Sequence, residues 1–324
     1  MSDSKKTKSA RFKDYLTIAF YNLENLFDTV DDIRTNDEGF LPDSERRWTL
    51  KRFNKKIRKL GYTISQIGQK STGMHPIMVG LAEVENENVV EELLKSKFLN
   101  EIAYDYVHYD SPDERGIDTA FIYDRNYFEL HHSEIFSIEL FDEDGMRDHT
   151  RDILYVYGHL KGEAIHVLVN HWPSRREGVE ESEPKRLIAS NKLIEIINGI
   201  TSDDPDAKII VMGDFNDDPS CKSIKQLSHY LDLHNPMTSL LSYSRGSLNH
   251  KFNWNLFDQI LFTTNFFEYV PGKHSFSKVN IFDQQFLKQF RGRHKGNPFR
   301  TYVGIKYKGG YSDHFPVYLL LKKV

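Results

Sequence analysis

The chain has 324 residues, 39% of them hydrophobic and 28% charged, enough apolar material for a large core. A net charge of −4 and a pI near 6.4 exclude binding to nucleic acid or anionic membrane through the overall field, so a polyanionic partner has to meet a local patch. A single cysteine, Cys221, excludes an internal disulfide framework and a cysteine zinc cluster, and it agrees with a reducing compartment.

In chain order, residues 1–10 are polar and basic and read as a frayed tail. No apolar run follows that would serve as a signal peptide, so the cytoplasm is the expected location. No window approaches the roughly 18 to 20 apolar residues of a membrane span, and no stable membrane association is expected. No Pro/Gly/Ser-rich linker interrupts residues 11–324, which read as one domain.

The first strand is "YLTIAFYN", Tyr15 to Asn22. In residues 44–68, Trp48, Phe53, Ile57, Leu60, Ile64 and Ile67 recur at the intervals of one helix face. Further strands are "PIMVGLAE" (76–83), "GIDTAFIYD" (116–124), "ILYVYGHL" (153–160) and "AIHVLVNHW" (164–172). Residues 115–136 and 153–170 read as hairpins that turn at 124–126 and 161–163. A helix is expected over 181–200, with Pro184 in its first turn. "KIIVMGDFN" (208–216), "LFDQILFT" (256–263) and "FPVYLLLK" (315–322) complete the strands. This is an α+β or mixed α/β layout, in which two packed sheets under helices account for the nearly continuous apolar strands.

These strands end in or begin from polar residues: Asn22, Glu83, Asn170 and His171, Asp214 and Asn216, and Asp313 and His314, with Asp258 inside a sixth apolar segment. Taken singly, each reads equally well as a cap or turn-former. Taken together, six strand-associated sites of Asp, Glu, Asn and His suggest convergence, because a buried carboxylate costs several kcal/mol unless it is paired. Glu83, Asp313 and Asn22 are hard oxygen donors suited to Mg2+. Asp214 and Asn216 suit the orienting and deprotonation of a water. His314 suits a phosphoryl oxygen or a leaving group, with Asp258 fixing its tautomer.

"LAEVEN", "GDFND", "FDQILF" and "YSDHFPV", following "FYNLEN" in that order, resemble the endonuclease/exonuclease/phosphatase superfamily over nearly the whole chain. The resemblance implies a four-layer, deoxyribonuclease I-like sandwich of two mixed sheets between helices, a divalent metal, normally Mg2+ with Mn2+ as a substitute, and hydrolysis of a phosphoester. Carried over by motif, Glu83 is the principal metal ligand, with Asn22 and Asp313 beside it. Asp214 activates water, Asn216 assists it, and Asp258 pairs with His314. "NHWPSRREG" implies that His171 holds the scissile phosphate with Ser174 and Arg175 near it, and "DERGIDTAFIYD" implies that Arg115 reaches substrate phosphate. Asp118 reads as structural, and Gln259 departs from the Arg or Tyr often found after the Asp.

Substrate choice resides in loops. Residues 284–312 carry Lys288, Arg291, Arg293, Lys295, Arg300, Lys306 and Lys308 with no acidic residue, interleaved with Phe290, Phe299, Tyr302 and Tyr307. Such a stretch suits a phosphate backbone and stacked bases, or else it is a solvated basic loop. A nucleic-acid phosphodiester ranks first and a small inositol or sugar phosphate second. A phospholipid ranks third, because the aromatic residues of "TTNFFEYV" (263–270) read as a core strand. A catalytically inert binding module on the same fold is the alternative of another class, and no protein partner is inferable.

Overall fold

The structure, a computed structural model, describes residues 14–324 except 143 and 177. The tail expected at 1–10 lies outside the described residues. All eight segments that read as strands form strands. With four others they are β1 (Tyr15–Leu26), β2 (Met78–Val84), β3 (Tyr104–His108), β4 (Asp118–Asp124), β5 (Phe128–Phe136), β6 (Ile153–Leu160), β7 (Glu163–His171), β8 (Ile209–Asp214), β9 (Leu233–His234), β10 (Asp258–Thr263), β11 (His274–Ile281) and β12 (Val317–Lys323). The main helices are α1 (Leu50–Gln66), α2 (Glu87–Leu94), α3 (Val179–Asp203) and α4 (Lys222–Tyr230).

These twelve strands form two six-stranded mixed sheets, ordered β11-β12-β1-β2-β4-β3 and β9-β10-β8-β7-β6-β5, beside which short two-stranded ribbons lie in the loops. Each sheet holds one parallel pair at its centre, β1 with β2 and β7 with β8. Period-2 alternation builds the layers. Along β8, Ile210 and Met212 enter the core shared with the first sheet, whereas Ile209 and Val211 face a second core with Leu193 and Ala189 of α3 and Ile224 and Leu227 of α4. Phe53, Ile57 and Leu60 of α1 and Val89 and Leu93 of α2 join the first core. The result is the expected sandwich of two sheets flanked by helices. No helix among the described residues is long and apolar enough to cross a membrane.

Three expectations about elements are corrected. Residues 115–136 do not form a hairpin, because β4 pairs with β2 and β3 while β5 pairs with β6 in the other sheet. Every residue of β4 is buried, so it needs a neighbour on both sides, whereas β5 is half exposed and suits a sheet edge. The β6–β7 hairpin does form, turning on Lys161 and Gly162, both at positive φ as a tight two-residue turn requires. Helix α3 begins at Val179, so Pro184 is its sixth residue and not in its first turn. The side chain of Arg186 bonds Ser182 Oγ and the Val179 carbonyl there, tying the helix start together. Finally, residues 264–267 form a 3-10 turn in which Phe266 is buried, while Phe267 and Tyr269 are exposed and fill no core strand.

Candidate active site

The two central parallel pairs run the same way toward one end of the sandwich. Asn22 lies beside Ala82, the residue before Glu83, and Asp214 lies in register with both His171 and Asp258. Asn22 Nδ2 donates to Asp214 Oδ2 at 2.9 Å and to Glu83 Oε1 at 3.3 Å, joining the two sheets. His171 Nε2 is 4.0 Å from Glu83 Oε1 and 3.9 Å from Asp214 Oδ2. His314 Nδ1 meets Asp258 Oδ2 at 2.7 Å, and its Nε2 stands 3.9 Å from both Asp214 Oδ2 and Asp313 Oδ1. Seven of the residues singled out in the sequence, Asn22, Glu83, His171, Asp214, Asp258, Asp313 and His314, therefore share one cluster.

The backbone is strained where these side chains leave the sheets. Four of the eight described non-glycine residues at positive φ are Glu24, Asn25, Glu83 and Asn216, and the β1–β2 and β2–β4 registers shift at the same place. Such bulges turn a side chain out of strict alternation, at a cost of about 1–3 kcal/mol per strained residue. Hydrogen bonds hold the turned groups: Asn25 N–H donates to Glu83 Oε2 at 2.6 Å, and Asn216 N–H to Asp214 Oδ1 at 3.0 Å.

Burial and neighbouring charges set the protonation states. Burial raises the Asp214 carboxyl, the His314 imidazolium pulls it back and Asp258 pushes it further, leaving it near 6. Burial opposes charge on His314, but Asp258, Asp214 and Asp313 together raise it well above its ordinary value. His171 is driven the other way by burial and by Arg151 and Arg115, so it is neutral. Burial also works against the Asp313 carboxylate, yet His314, Arg300 and Lys56 hold it below its usual range.

Some expected contacts take another form. The Asn22 carbonyl oxygen accepts from Glu24 N–H at 2.9 Å, so its amide nitrogen, a donor, faces the carboxylates. Arg175 is occupied with Asn216 O and Asp217 Oδ1, each at 2.7 Å, and lies over the Phe257 ring; it braces the loop after β8. Ser174 is half-buried and makes no side-chain hydrogen bond among the described residues. Arg115 donates to the Asn25 side chain beside Glu83. Asn216 Nδ2 donates to Trp172 O at 3.0 Å. Asn170 turns inward to Trp172 and the β-strand carbonyls, and Gln259 bonds Asp217 O and Asn235.

Sequence reasoning assigned no role to Glu24, Lys56, Arg151 or Asp113, and gave Arg300 only a place in the basic stretch. Arg300 binds Asp313 Oδ2 at 2.5 Å, and Glu24 accepts the Thr301 N–H at 2.5 Å. Lys56 is buried against the Glu24 carbonyl and Thr301 Oγ1, and burial lowers its pKa. Arg151 spans Asp113 Oδ2 and Trp172 O. A signal existed for Glu24: it is the one charged residue of β1, placed two residues after Asn22.

The donor set suits a divalent cation. Glu24, Glu83, Asp214, Asp258 and Asp313 crowd one end, with His314, Lys56 and Arg300 among the cations near them and Arg115 beside Glu83, and burial makes any carboxylate left without a partner costly. One atom each of Asp214, Asp258 and His314 lies within 4.8 Å of the other two, and carboxylate oxygens are the preferred ligands of hard cations.

The sequence matches the Endonuclease/Exonuclease/phosphatase family over residues 17–323. The chain belongs to that family. Family members are metal-dependent hydrolases of phosphoester bonds, and so is this chain. Among solved structures, a family protein from Bacteroides thetaiotaomicron is 17% identical, with a TM-score of 0.60, covering 95% of this chain and 97% of its own. The mannosyl-6-phosphatase Bt3783 of B. thetaiotaomicron VPI-5482 is 16% identical (TM-score 0.57; 94% and 99% covered), and a humanized D. rerio TDP2 is 14% identical (TM-score 0.55; 95% and 99% covered). At these identities the likeness is one of fold. No curated protein matches the sequence significantly.

Proposed function

We propose that this family member hydrolyses a phosphodiester with Mg2+, Mn2+ serving as a substitute, and that its substrate is a strand of DNA or RNA. The observation that carries the reading is the cluster in which Glu83, Asp214, Asp258 and Asp313 face His171 and His314 at 2.7–4.0 Å. Glu83 and Asp313 would hold the ion, which when bound supplies positive charge to the phosphate under attack. Asn22 acts as the strut between Glu83 and Asp214. Asp214 orients a water and takes its proton, with Asn216 shaping the strained turn behind it. Neutral His171 donates from Nε2 to a phosphate oxygen. His314, kept cationic by Asp258, stabilises developing charge on phosphoryl or leaving oxygen. Arg115 and Arg300 add positive potential at the two sides of the cleft.

The preference for a polynucleotide rests on a cavity of about 380 Å3 lined by Phe252, Trp254, Arg293 and Lys295. It adjoins the cluster through Phe315, next to His314, and Asn249, next to Leu248, which bridges to His314. Phe252 stacks on His294, with ring planes 5° apart, and Arg293 lies over Phe252. Lys288 and Arg300 of the basic stretch are held by Asp283 and Asp313, whereas Arg293 and Lys295 have no acidic partner among the described residues. Stacking faces combined with unpaired cations are what a single strand needs.

The test is hydrolysis of bis(p-nitrophenyl) phosphate and of single- and double-stranded DNA and RNA, with Mg2+, Mn2+ or EDTA and with Glu83→Ala as blank. Metal-dependent cleavage of a polynucleotide, absent from the blank, is the expected result. Turnover of the small diester alone overturns the nucleic-acid assignment and favours a small phosphoester. Silence on every substrate overturns the phosphodiesterase reading.

A further inference from the structure

A second group of donors stands on the flank of the first sheet, at the wall of a cavity of about 710 Å3. His108 ends β3 and Asp118 begins the neighbouring strand β4. Their side chains are each 3% accessible, and His108 Nε2 faces Asp118 Oδ2 at 3.6 Å. That separation is too long for a hydrogen bond, and Nε2 has no other partner. Asp118 is not free to turn away, because its other oxygen accepts both the backbone N–H and the hydroxyl of Ser111. Asp110 stands on the solvent side, with Oδ1 4.0 Å from His108 Nδ1 and a side chain that is 76% accessible. One donor atom from each of the three lies within 4.8 Å of the other two.

A buried imidazole and a buried carboxylate that face each other without a hydrogen bond are costly. Burial raises Asp118 to about 7 and lowers His108, so the interior itself does not favour the charged pair that would close the gap. A cation between them satisfies both groups. We propose that His108, Asp110 and Asp118 form a second divalent-metal site, for a first-row transition cation such as Zn2+. One imidazole nitrogen with two carboxylates suits such a cation better than Mg2+ or Ca2+, which prefer oxygen ligands alone. Ser111 is the outer partner that orients Asp118, as carboxylate ligands generally require. The ion would pin the loop 109–117, whose Asp113 holds Arg151 and whose Arg115 reaches Asn25 beside Glu83. The proposal is independent of which phosphoester the enzyme cleaves.

The experiment uses the full chain stripped by chelator and titrated with Zn2+ by calorimetry, with melting temperature followed in parallel. Wild type is compared with Asp110→Asn, His108→Gln, Glu83→Ala and the Glu83→Ala/Asp110→Asn double variant. Asp110→Asn and His108→Gln are expected to lose one equivalent of Zn2+, or to bind it at least tenfold more weakly, and to lose part of the Zn2+-dependent rise in melting temperature. The double variant is expected to lose more than Glu83→Ala alone. Because Asp110 is exposed, its variant keeps the fold and decides the matter even where His108→Gln fails to fold. Zinc bound elsewhere, as at the exposed Glu129 and His131 with the half-buried His159, cancels in the comparison. The proposal is overturned if Asp110→Asn binds as many equivalents as wild type with unchanged affinity, or if the double variant loses no more than Glu83→Ala.

Discussion

Asp214 carries the sharpest consequence at the scale of single residues. Its carboxyl lies near 6 because burial raises it and Asp258 adds to burial, against the pull of His314. The proposed general base must be deprotonated to act, so kcat/KM should fall as pH drops through about 6, or lower when a cation beside Glu83 favours the carboxylate. A pH–rate profile checks this, and Asp214→Asn should lower kcat by roughly 10²–10⁴-fold; an unchanged rate removes Asp214 from the chemistry. Glu163, far from the cleft, shows the opposite shift. Burial alone would raise it, but the bonds from His274 and Lys208 bring it down to about 2, with the carboxylate 2.7 Å from His274 Nδ1 and 2.8 Å from Lys208 Nζ. A depressed carboxyl stabilises the fold above its unfolded pKa of roughly 4.3 and loses that contribution as pH falls toward 2. Glu163→Gln should therefore cost on the order of 2–3 kcal/mol near pH 7 and little at pH 2. Urea unfolding at the two pH values reads the difference, and an equal loss at both would assign the effect to packing.

The loop that leaves β8 shows how an element is held so that its residues work. Asp217 is buried between Arg175 Nη2 at 2.7 Å and Arg186 Nε at 2.8 Å, and it accepts from Ser223 Oγ at 2.5 Å. It thereby ties the loop to α3 and α4 at once. Asp217→Ala would leave Arg186, 1% exposed, as an uncompensated buried charge, with an expected loss of about 3–5 kcal/mol in chemical denaturation. If the variant unfolds within about 1 kcal/mol of wild type, the network is not what secures the loop. The same loop marks the limit of what sequence reveals. Glu83, Asp214, Asp258 and His314 were legible because each adjoins an apolar run, and alternation of period 2 brings adjoining strand ends together. Glu24 carried only its charge as a signal and Asn25 none, and neither could be placed, because positive φ at both breaks the alternation that sequence reasoning assumes. The bonds of Arg175 to Asn216 O and Asp217 were hidden for a related reason: whether a loop cation meets substrate or a backbone carbonyl depends on where the loop folds, and no spacing rule contains that. The pairing of β4 away from β5 was equally hidden, since a short polar turn between strands fits a hairpin and a crossing between sheets alike.

On the scale of the whole molecule, the proposed catalysis requires that two sheets keep a fixed separation, because Glu83 comes from one and Asp214 from the other. The Asn22 bonds to both carboxylates span that gap at its open end. Deeper in the sandwich the separation is set by packing. Gly80 of β2 faces Met212 of β8, and a Cβ added at Gly80 would stand 2.6 Å from Met212 Sδ and 3.1 Å from Phe20 Cδ2. Both neighbours are fully buried, and the interior has no slack to take up a methyl group. Gly80→Ala should therefore destabilise by about 1–3 kcal/mol through overpacking, and the displaced strand should lower kcat, since Glu83 lies three residues further along β2. Met212→Ala alone should cost about 2–5 kcal/mol by leaving a cavity. Combining them gives the new methyl group part of the vacated volume, so the double variant should lose less than the sum, with a coupling of roughly 0.5–3 kcal/mol. Guanidinium unfolding of the four proteins measures that coupling, and parallel kcat values report the register of the two sheets. Strict additivity would mean that Gly80 and Met212 do not set the spacing; coupling in stability together with partial recovery of kcat would tie the geometry of the cleft to the contact between the sheets beneath it.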